Sequence, residues 1–277
     1  TVDLDVTHLL AFVKTLKQSP HYADVRVTLN SVLLKIIAES VKVSPEMNAH
    51  IEYNRHSVAG RLVLHDEINI AVPFRTEDGR TITPVACGIG RQTLREVCQT
   101  LDDLKRRVRN TRVDILLFDA GFQNSMEALR KGRFTILRRL YANFVGKTRL
   151  ARVPRAERKA YRAVPEEDRI TPENLVSATI LVSNLGSVLR HAHLTVSLLE
   201  IIPPQTTAIA LAPIDRRPLV MGNTPDEEHV EIRSVLPMTV CFDHRAMDLE
   251  HVEGFIDKAD ALCTEPWELD PEVPRPA

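Results

Sequence analysis

Apolar residues recur along the chain with two different periods, and each period predicts a different kind of element. Residues 2–6 alternate apolar and acidic side chains, which is typical of a strand with one face in water. Thr7 fits a helix N-cap, and apolar residues follow it at helical spacing. The same reasoning predicts helices at 28–42, 93–109 and about 249–263, and strands at 61–65, 68–74, 178–183, 206–212 and 230–242.

Helices and strands are thus mixed, and most of the strands follow one another without a helix between them. Regular alternation of strand and helix would indicate a doubly wound parallel sheet, so its absence favours an α+β fold with a mixed or antiparallel sheet. With 277 residues, 44% of them hydrophobic, the chain is long enough to bury one large core or two modest ones. We expect a single domain over 1–277, with a basic helical insertion at about 112–168.

The composition excludes several classes of protein. A formal net charge of −1 gives the chain no general attraction for nucleic acid. Its four cysteines are widely spaced and form no C-x-x-C pair, so we expect neither a metal site nor a redox motif. Unpaired cysteines, no signal peptide and no apolar run of about 20 residues favour a cytoplasmic protein.

One segment differs from the rest in its charge. Residues 130–162 hold twelve Lys or Arg and one acid, a local charge of +11, which leaves −12 on the remaining sequence. The segment fits a solvated helical insertion. It also fits an electrostatic docking site for an acidic carrier protein, for the phosphates of coenzyme A or for an anionic membrane face. Interleaved apolar residues predict an amphipathic helix in part of it.

The strongest chemical signal is the sequence FDHRAMD at 242–248. It follows a predicted strand and precedes the last helix, so His244 is expected to project from the end of a sheet into a cleft. Asp248 lies four residues on and can fix the loop through hydrogen bonds or an ion pair with an arginine. By itself this spacing also fits a structural histidine in a capped turn.

A second signal is the segment 178–187, in which a strand is predicted to end at Ser183. Gly186 permits a sharp turn directly after it. A hydroxyl held at a strand end can donate a hydrogen bond to a developing oxyanion. Taken alone, a serine before Asn-Leu-Gly also fits ordinary turn chemistry.

Together the two signals resemble the catalytic domain of the 2-oxo acid dehydrogenase dihydrolipoyl acyltransferases, which shares its fold with chloramphenicol acetyltransferase. The D-H-R-x-x-D-G motif of that family is matched by Asp243, His244, Arg245 and Asp248, and its S/T-N-L-G strand end by residues 183–186. Further matches in the same order lie at 2–7, 44–49, 68–72, 79, 84–85 and 201–212. The resemblance covers nearly the whole chain except about 112–168, and it implies a two-layer, trimeric fold.

The chain departs from the family pattern at three places. Leu249 stands where the family has glycine, and Thr206-Thr207 stands where it has an apolar pair. The basic insertion is absent from the classical multienzyme cores. With this insertion and the sequence SNLGS at 183–187, the chain resembles a divergent, free-standing branch of the family.

The resemblance implies an acyl transfer without a covalent enzyme intermediate. His244 would act as general base, Ser183 would stabilise the oxyanion, Asp248 would orient the site and Arg245 would be structural. The donor would be a thioester of coenzyme A or of a lipoyl or phosphopantetheine carrier, and the acceptor a thiol or hydroxyl. Ser183 would face His244 of a neighbouring subunit in the trimer.

Three functions remain open on these residues. The first is a free-standing acyltransferase, the second a dihydrolipoyl acyltransferase core of a 2-oxo acid dehydrogenase complex, and the third a non-catalytic trimeric scaffold. The expected partners are other copies of the chain, as a trimer or an assembly of trimers, acyl-coenzyme A, and a lipoyl or acyl carrier protein docking on 130–162. Contact of that segment with a membrane surface is the less favoured alternative, and no nucleic acid is expected.

Overall fold

The computed structural model describes residues 1–54, 58–76, 79–130, 153–189, 193–222 and 224–275, apart from the side chains of 54, 122–124 and 127–129. The strands are β1 (Val2–Asp5), β2 (Ala49–Asn54), β3 (Ala59–Leu64), β4 (Ile70–Ala71), β5 (Phe74–Arg75), β6 (Thr81–Ile82), β7 (Val85–Ala86), β8 (Ile180–Asn184), β9 (Thr207–Leu211), β10 (Asp215–Met221) and β11 (His229–Phe242). The helices are α1 (Thr7–Gln18), α2 (Leu29–Lys42), α3 (Leu94–Arg109), α4 (Val113–Arg130), α5 (Arg155–Ala163) and α6 (Leu249–Thr264).

The contacts divide the chain into two compact units. Unit 1 comprises Thr1–Pro73, Val85–Asp102 and Ser177–Ala277. Unit 2 comprises Phe74–Pro84 and Asp103–Val176. Unit 1 holds the large sheet and every residue that the sequence singles out for chemistry.

The sheet of unit 1 has seven strands. Six of them follow the order β1-β11-β9-β8-β4-β7, and the seventh, β10, pairs with residues 229–235 of β11. The pairs β4–β8 and β8–β9 are parallel, whereas the other neighbours are antiparallel. The sheet is therefore mixed, which confirms the predicted α+β class. All five residues of β9 are buried, as expected for a central strand that is covered on both faces.

Three helices of unit 1 pack together and contribute buried apolar side chains to its core. Helix α2 packs against α6, and α1 contacts both of them. Thr28 caps α2 through reciprocal bonds with Ser31, each backbone N–H donating to the other side chain at 3.1 Å. The largest fully buried side chains here include Phe12, Leu34, Ile36 and Phe255.

Unit 2 has buried apolar side chains, among them Val108, Ile115 and Ile170, together with several polar contacts. The Arg107 guanidinium donates to the Asn174 side chain at 2.7 Å and to the Arg169 carbonyl at 2.9 Å. Tyr161 of α5 is 4% exposed and carries the Arg169 guanidinium over its ring. Most of the basic segment, 131–152, lies outside the described residues, and among the helices that are described none is long and apolar enough to cross a bilayer.

The structure corrects three local predictions. Thr7 is the first residue of α1 and not its cap: its N–H donates to Asp5 Oδ1 at 2.9 Å, and its hydroxyl accepts the Ser234 N–H at 2.9 Å. The strand predicted at 68–74 is interrupted and forms only the short β4 before β5 begins. Strand β10 was not expected, because charged residues break its apolar period, whereas helix α4 lies within the region predicted to be a helical insertion.

Candidate active site

The turn after β11 holds His244 between two fixed ends. The Asp243 N–H donates to the Thr206 carbonyl at 2.9 Å, and the Ala246 N–H donates back to the Asp243 carbonyl at 2.8 Å. Met247 is 3% exposed and anchors the far end of the turn in the core. The backbone around His244 is therefore constrained by hydrogen bonds on one side and by packing on the other.

Hydrogen bonds between Asp243 and Arg245 stabilise the turn. The Asp243 carboxylate accepts the Arg245 backbone N–H at 3.0 Å and the Arg245 Nε–H at 2.9 Å. These bonds from Arg245 hold the pKa of Asp243 below its usual value, mainly through the side-chain hydrogen bond. These hydrogen bonds are consistent with the structural role expected for Arg245.

The His244 imidazole itself is open. Its side chain is 75% exposed and that of Asp248 is 74% exposed, with 3.7 Å between Nδ1 and Oδ1. That distance is too long for a hydrogen bond but close enough for an electrostatic contact. The ring of Phe242 stands edge-on to the imidazole, with 4.7 Å between ring centroids. The imidazole therefore contacts Phe242 and is otherwise accessible to a reacting group.

Leu249 replaces the glycine of the family motif without strain. It is the first residue of α6, so its backbone is helical and needs no left-handed conformation. The preceding Asp248 N–H donates to His251 Nδ1 at 3.2 Å, which satisfies one N–H at the helix start. The turn therefore passes directly into a helix where the family pattern places glycine.

Ser183 occupies the predicted position near the end of β8, and the turn after it is tightly built. Asn184 accepts the Ser187 N–H at 3.1 Å and donates to the Asn30 side chain at 2.9 Å. A Cβ on Gly186 would lie 3.1 Å from Pro213 Cα, so the close approach of the backbone there requires glycine. The strand end is thus a rigid support for the serine.

One chain does not bring Ser183 and His244 together. Ser183 pairs with Ala210 near the end of β9, whereas Phe242 pairs with Thr207 at its start. At about 3.3 Å per residue and about 4.8 Å per strand, Ser183 and Phe242 lie about 10 Å apart along the strands and about 10 Å across them. His244 lies beyond Phe242, so the serine and the histidine of the same chain are too far apart for a shared substrate atom.

Two further contributors to the site were missed by sequence reasoning. Thr206 is fully buried, and its hydroxyl donates to the Ala49 carbonyl at 3.1 Å, which ties β2 to the strand that supports the turn. Tyr53 of β2 lies under the Arg245 guanidinium, 5.2 Å from ring centroid to Cζ. The departure from an apolar pair at Thr206-Thr207 was a signal for the first, but no local pattern marks Tyr53.

A cavity of about 1190 Å³ lies elsewhere in unit 1. Residues of α2, of the start of α3 and of the C-terminal segment line it, and neither Ser183 nor His244 is among them. Lys35 is buried there, with its Nζ 2.5 Å from the Glu39 carboxylate. The cavity is therefore separate from the turn that carries His244.

We expect Asp243→Asn to destabilise the protein by about 1–2 kcal/mol at pH 7, because it removes the charged acceptor of two Arg245 hydrogen bonds. The folded-state pKa of Asp243 is depressed, so its contribution is present above the unfolded pKa, about 3.9, and is lost as pH falls through the folded value. Urea unfolding of both proteins should give a difference that shrinks between pH 7 and about pH 3. A difference that stays constant over this range would rule out the charge as its source.

Three solved structures share the fold of this chain over most of their length. The cubic core of the pyruvate dehydrogenase multienzyme complex is 17% identical with a TM-score of 0.60, covering 97% of this chain and 81% of that one. The dihydrolipoamide acetyltransferase of Azotobacter vinelandii is 16% identical with a TM-score of 0.60 and the same coverage. A truncated catalytic core of the 2-oxoacid dehydrogenase multienzyme complex from Thermoplasma acidophilum is 15% identical with a TM-score of 0.56, covering 96% and 85%. These likenesses confirm the predicted fold.

Comparison with curated protein sequences finds no match. The family model of the 2-oxoacid dehydrogenases acyltransferase (catalytic domain) matches residues 1–116 and 154–270. The matched ranges include Ser183 and the whole turn from Asp243 to Asp248. The chain therefore belongs to the family of 2-oxoacid dehydrogenase acyltransferase catalytic domains, and it is an acyltransferase.

Proposed function

We propose that this enzyme transfers an acyl group from a thioester of coenzyme A, or of a lipoyl or phosphopantetheine carrier, to a thiol or hydroxyl acceptor, with His244 as the general base. The observation that carries the proposal is the exposed imidazole on a turn fixed by Asp243, Arg245 and Met247. Such a group can reach a substrate proton while its own backbone stays in place. Membership of the acyltransferase family supports the reaction class.

The chemistry follows from the pKa of a thiol. A free thiol has a pKa near 8.5 and is mostly protonated at neutral pH, so a neutral imidazole can take its proton as the sulfur attacks the thioester carbonyl. Nδ1 of His244 lies toward Asp248, which leaves Nε2 for the acceptor. The new carbon–sulfur bond gives a tetrahedral oxyanion. When that intermediate collapses, the donor sulfur leaves and receives the proton from the imidazolium.

Ser183 is proposed to donate its hydroxyl hydrogen to that oxyanion. A single preorganised donor of this kind typically contributes about 10²–10³ in rate. The strand pairing of β8 and the close-packed turn at Gly186 support such preorganisation. The separation of Ser183 from His244 within one chain requires that the serine act on a substrate held by the histidine of a second chain.

Asp248 is proposed to orient the site and not to transfer a proton. In the Azotobacter vinelandii acetyltransferase, a serine, a histidine and an asparagine were studied for their parts in the catalytic mechanism, and the latter two are four positions apart. His244 and Asp248 have the same spacing. The Asp248 carboxylate lies 3.7 Å from Nδ1, where it can keep that side of the ring turned away from the acceptor.

A trimer is proposed as the active form, with sites shared between adjacent chains. Strand β10 and the first part of β11 form a ribbon with an exposed apolar face. Val220 and Val230 are paired on this face, with Ile232 next to them, and all three are more than half exposed. An apolar sheet face of this kind is typical of a surface that another chain covers. Two thiol substrates would then reach the shared site from opposite ends of the interface.

We expect His244→Ala to abolish acyl transfer while the protein keeps its fold and oligomeric state, because His244 is the one imidazole on the turn from Asp243 to Asp248. Transfer is measured by mass spectrometry with a panel of acyl-coenzyme A donors and either dihydrolipoamide or a carrier protein as acceptor. The accepted substrates separate a dihydrolipoyl acyltransferase core from a free-standing enzyme with another acceptor. Rates within tenfold of the unmodified enzyme would refute His244 as base.

We expect Ser183→Ala to lower turnover about 10²–10³-fold with little effect on the donor dissociation constant, because the hydroxyl acts on the oxyanion and not on the bound thioester. Mixing unfolded His244→Ala and Ser183→Ala chains and refolding them together should restore part of the activity, since some interfaces then hold both intact residues. No recovery in mixed oligomers, with normal refolding of the unmodified chain as control, would contradict a shared site.

We propose that the basic segment 130–162 docks an acidic carrier that brings the acyl group. The charge contrast of +11 against −12 elsewhere supports the proposal. Replacing four basic residues by glutamine should weaken binding of an acyl carrier protein in a salt-dependent manner, measured by pull-down at low and high ionic strength. The four positions are Lys131, Arg133, Arg138 and Arg139.

A matched control changes four basic residues outside the segment in the same way. They are Lys14, Lys17, Arg26 and Arg109. Equal binding by both variants would mean that the segment is only a solvated surface. Binding of the unmodified chain to anionic vesicles but not to the carrier would favour a membrane partner instead.

A further inference from the structure

The aromatic ring of Tyr53 packs against Arg245, a residue of the turn that carries His244. The Arg245 guanidinium has its edge on the Asp243 carboxylate, and its Cζ lies 5.2 Å from the centroid of the Tyr53 ring. This distance is within the range in which a cation is attracted to an aromatic face. Arg245 is thus held by a carboxylate within the turn and by a ring that comes from β2.

The hairpin of β2 and β3 is built so that the Tyr53 ring has room. Tyr53 lies directly opposite Gly60, and a Cβ on Gly60 would be 3.2 Å from Tyr53 Cδ2. A glycine opposite an aromatic residue lets the ring lie across the neighbouring strand. The hairpin is also joined to the segment that leads into β9, because the Ile51 N–H donates to the Pro204 carbonyl at 2.8 Å.

The backbone of the turn is fixed at both ends, but few contacts orient the His244 side chain itself. Its imidazole is 75% exposed, and Asp248 is 3.7 Å away and as exposed as the imidazole. The neighbours of His244 in sequence, Asp243 and Arg245, are the two residues that fix the turn. A shift of the guanidinium therefore moves the backbone on both sides of the imidazole.

We infer that Tyr53 is a positioning residue for His244: its ring holds Arg245 on Asp243 and thereby sets the orientation of the turn from which the imidazole projects. Tyr53 acts through Arg245 and not on the substrate. The ring face and not the hydroxyl supplies the interaction. This inference rests on the proposed function of His244, whereas the effect of Tyr53 on the turn is measurable without any acyl transfer.

The test compares Tyr53→Leu, which removes the aromatic face, with Tyr53→Phe, which keeps it. Two backbone N–H groups report on the turn directly, because Ala246 and Met247 both donate to the Asp243 carbonyl, at 2.8 and 3.2 Å. In Tyr53→Leu we expect hydrogen exchange of these two amides to become about three- to tenfold faster and kcat to fall by about the same factor, with KM for the acyl donor within twofold. Tyr53→Phe should stay within twofold of the unmodified enzyme in both measurements.

Two more variants separate positioning from a loss of folding. Leu62→Ala removes an aliphatic side chain from the same face of the same hairpin and should change neither the exchange nor kcat. Gly60→Ala adds a methyl group against the Tyr53 ring and should act in the direction of Tyr53→Leu. Thermal unfolding of all variants identifies any that lose the hairpin altogether.

Several results would overturn the inference. Unchanged amide exchange in Tyr53→Leu would show that the ring does not hold the turn. An equal loss in Tyr53→Phe would assign the effect to the hydroxyl. If Tyr53→Leu speeds exchange while His244→Ala still transfers acyl groups, the ring holds the turn but the proposed base is wrong, so the two failures are distinguishable.

Discussion

The antiparallel pairing of β11 with β9 is the constraint on which the candidate site depends. Phe242, the last residue of β11, pairs with Thr207, the first residue of β9, so β11 stops where β9 begins. The next N–H along the chain, that of Asp243, donates to the Thr206 carbonyl. His244 therefore projects beyond the sheet. The parallel pairing of β8 with β9 places Ser183 toward the other end of β9, away from the turn that carries His244.

Sequence reasoning succeeded where structure is determined by near neighbours in the chain. Helix α2 was predicted at 28–42 and lies at Leu29–Lys42, because its apolar period and the Thr28 cap are local properties. Thr7 was misassigned, since Asp5 supplies the acceptor and the Thr7 hydroxyl serves β11 instead. Strand β10 was missed because β11 supplies its ladder partner, and its own residues mix charge with apolar side chains.

The candidate site shows the same contrast between features set by nearby residues and features set by tertiary structure. Asp243, His244, Arg245 and Asp248 are close in sequence and form one turn, so a short motif was enough to find them. The distance between Ser183 and His244 depends on strand register, which no motif encodes. The contact between Tyr53 and Arg245 depends on the hairpin and on the space that Gly60 leaves, and these are consequences of tertiary structure.

The parallel pairing of β4 with β8 has a consequence for how the chain folds. Ile70 pairs with Ile180, so the contact closes a loop of about 110 residues and carries a large entropic cost before any strand pairing compensates for it. Antiparallel ribbons such as β2–β3 and β10–β11 close over short loops and can form early. We therefore expect the support for His244 to assemble from these local ribbons, with the sheet between them completed last.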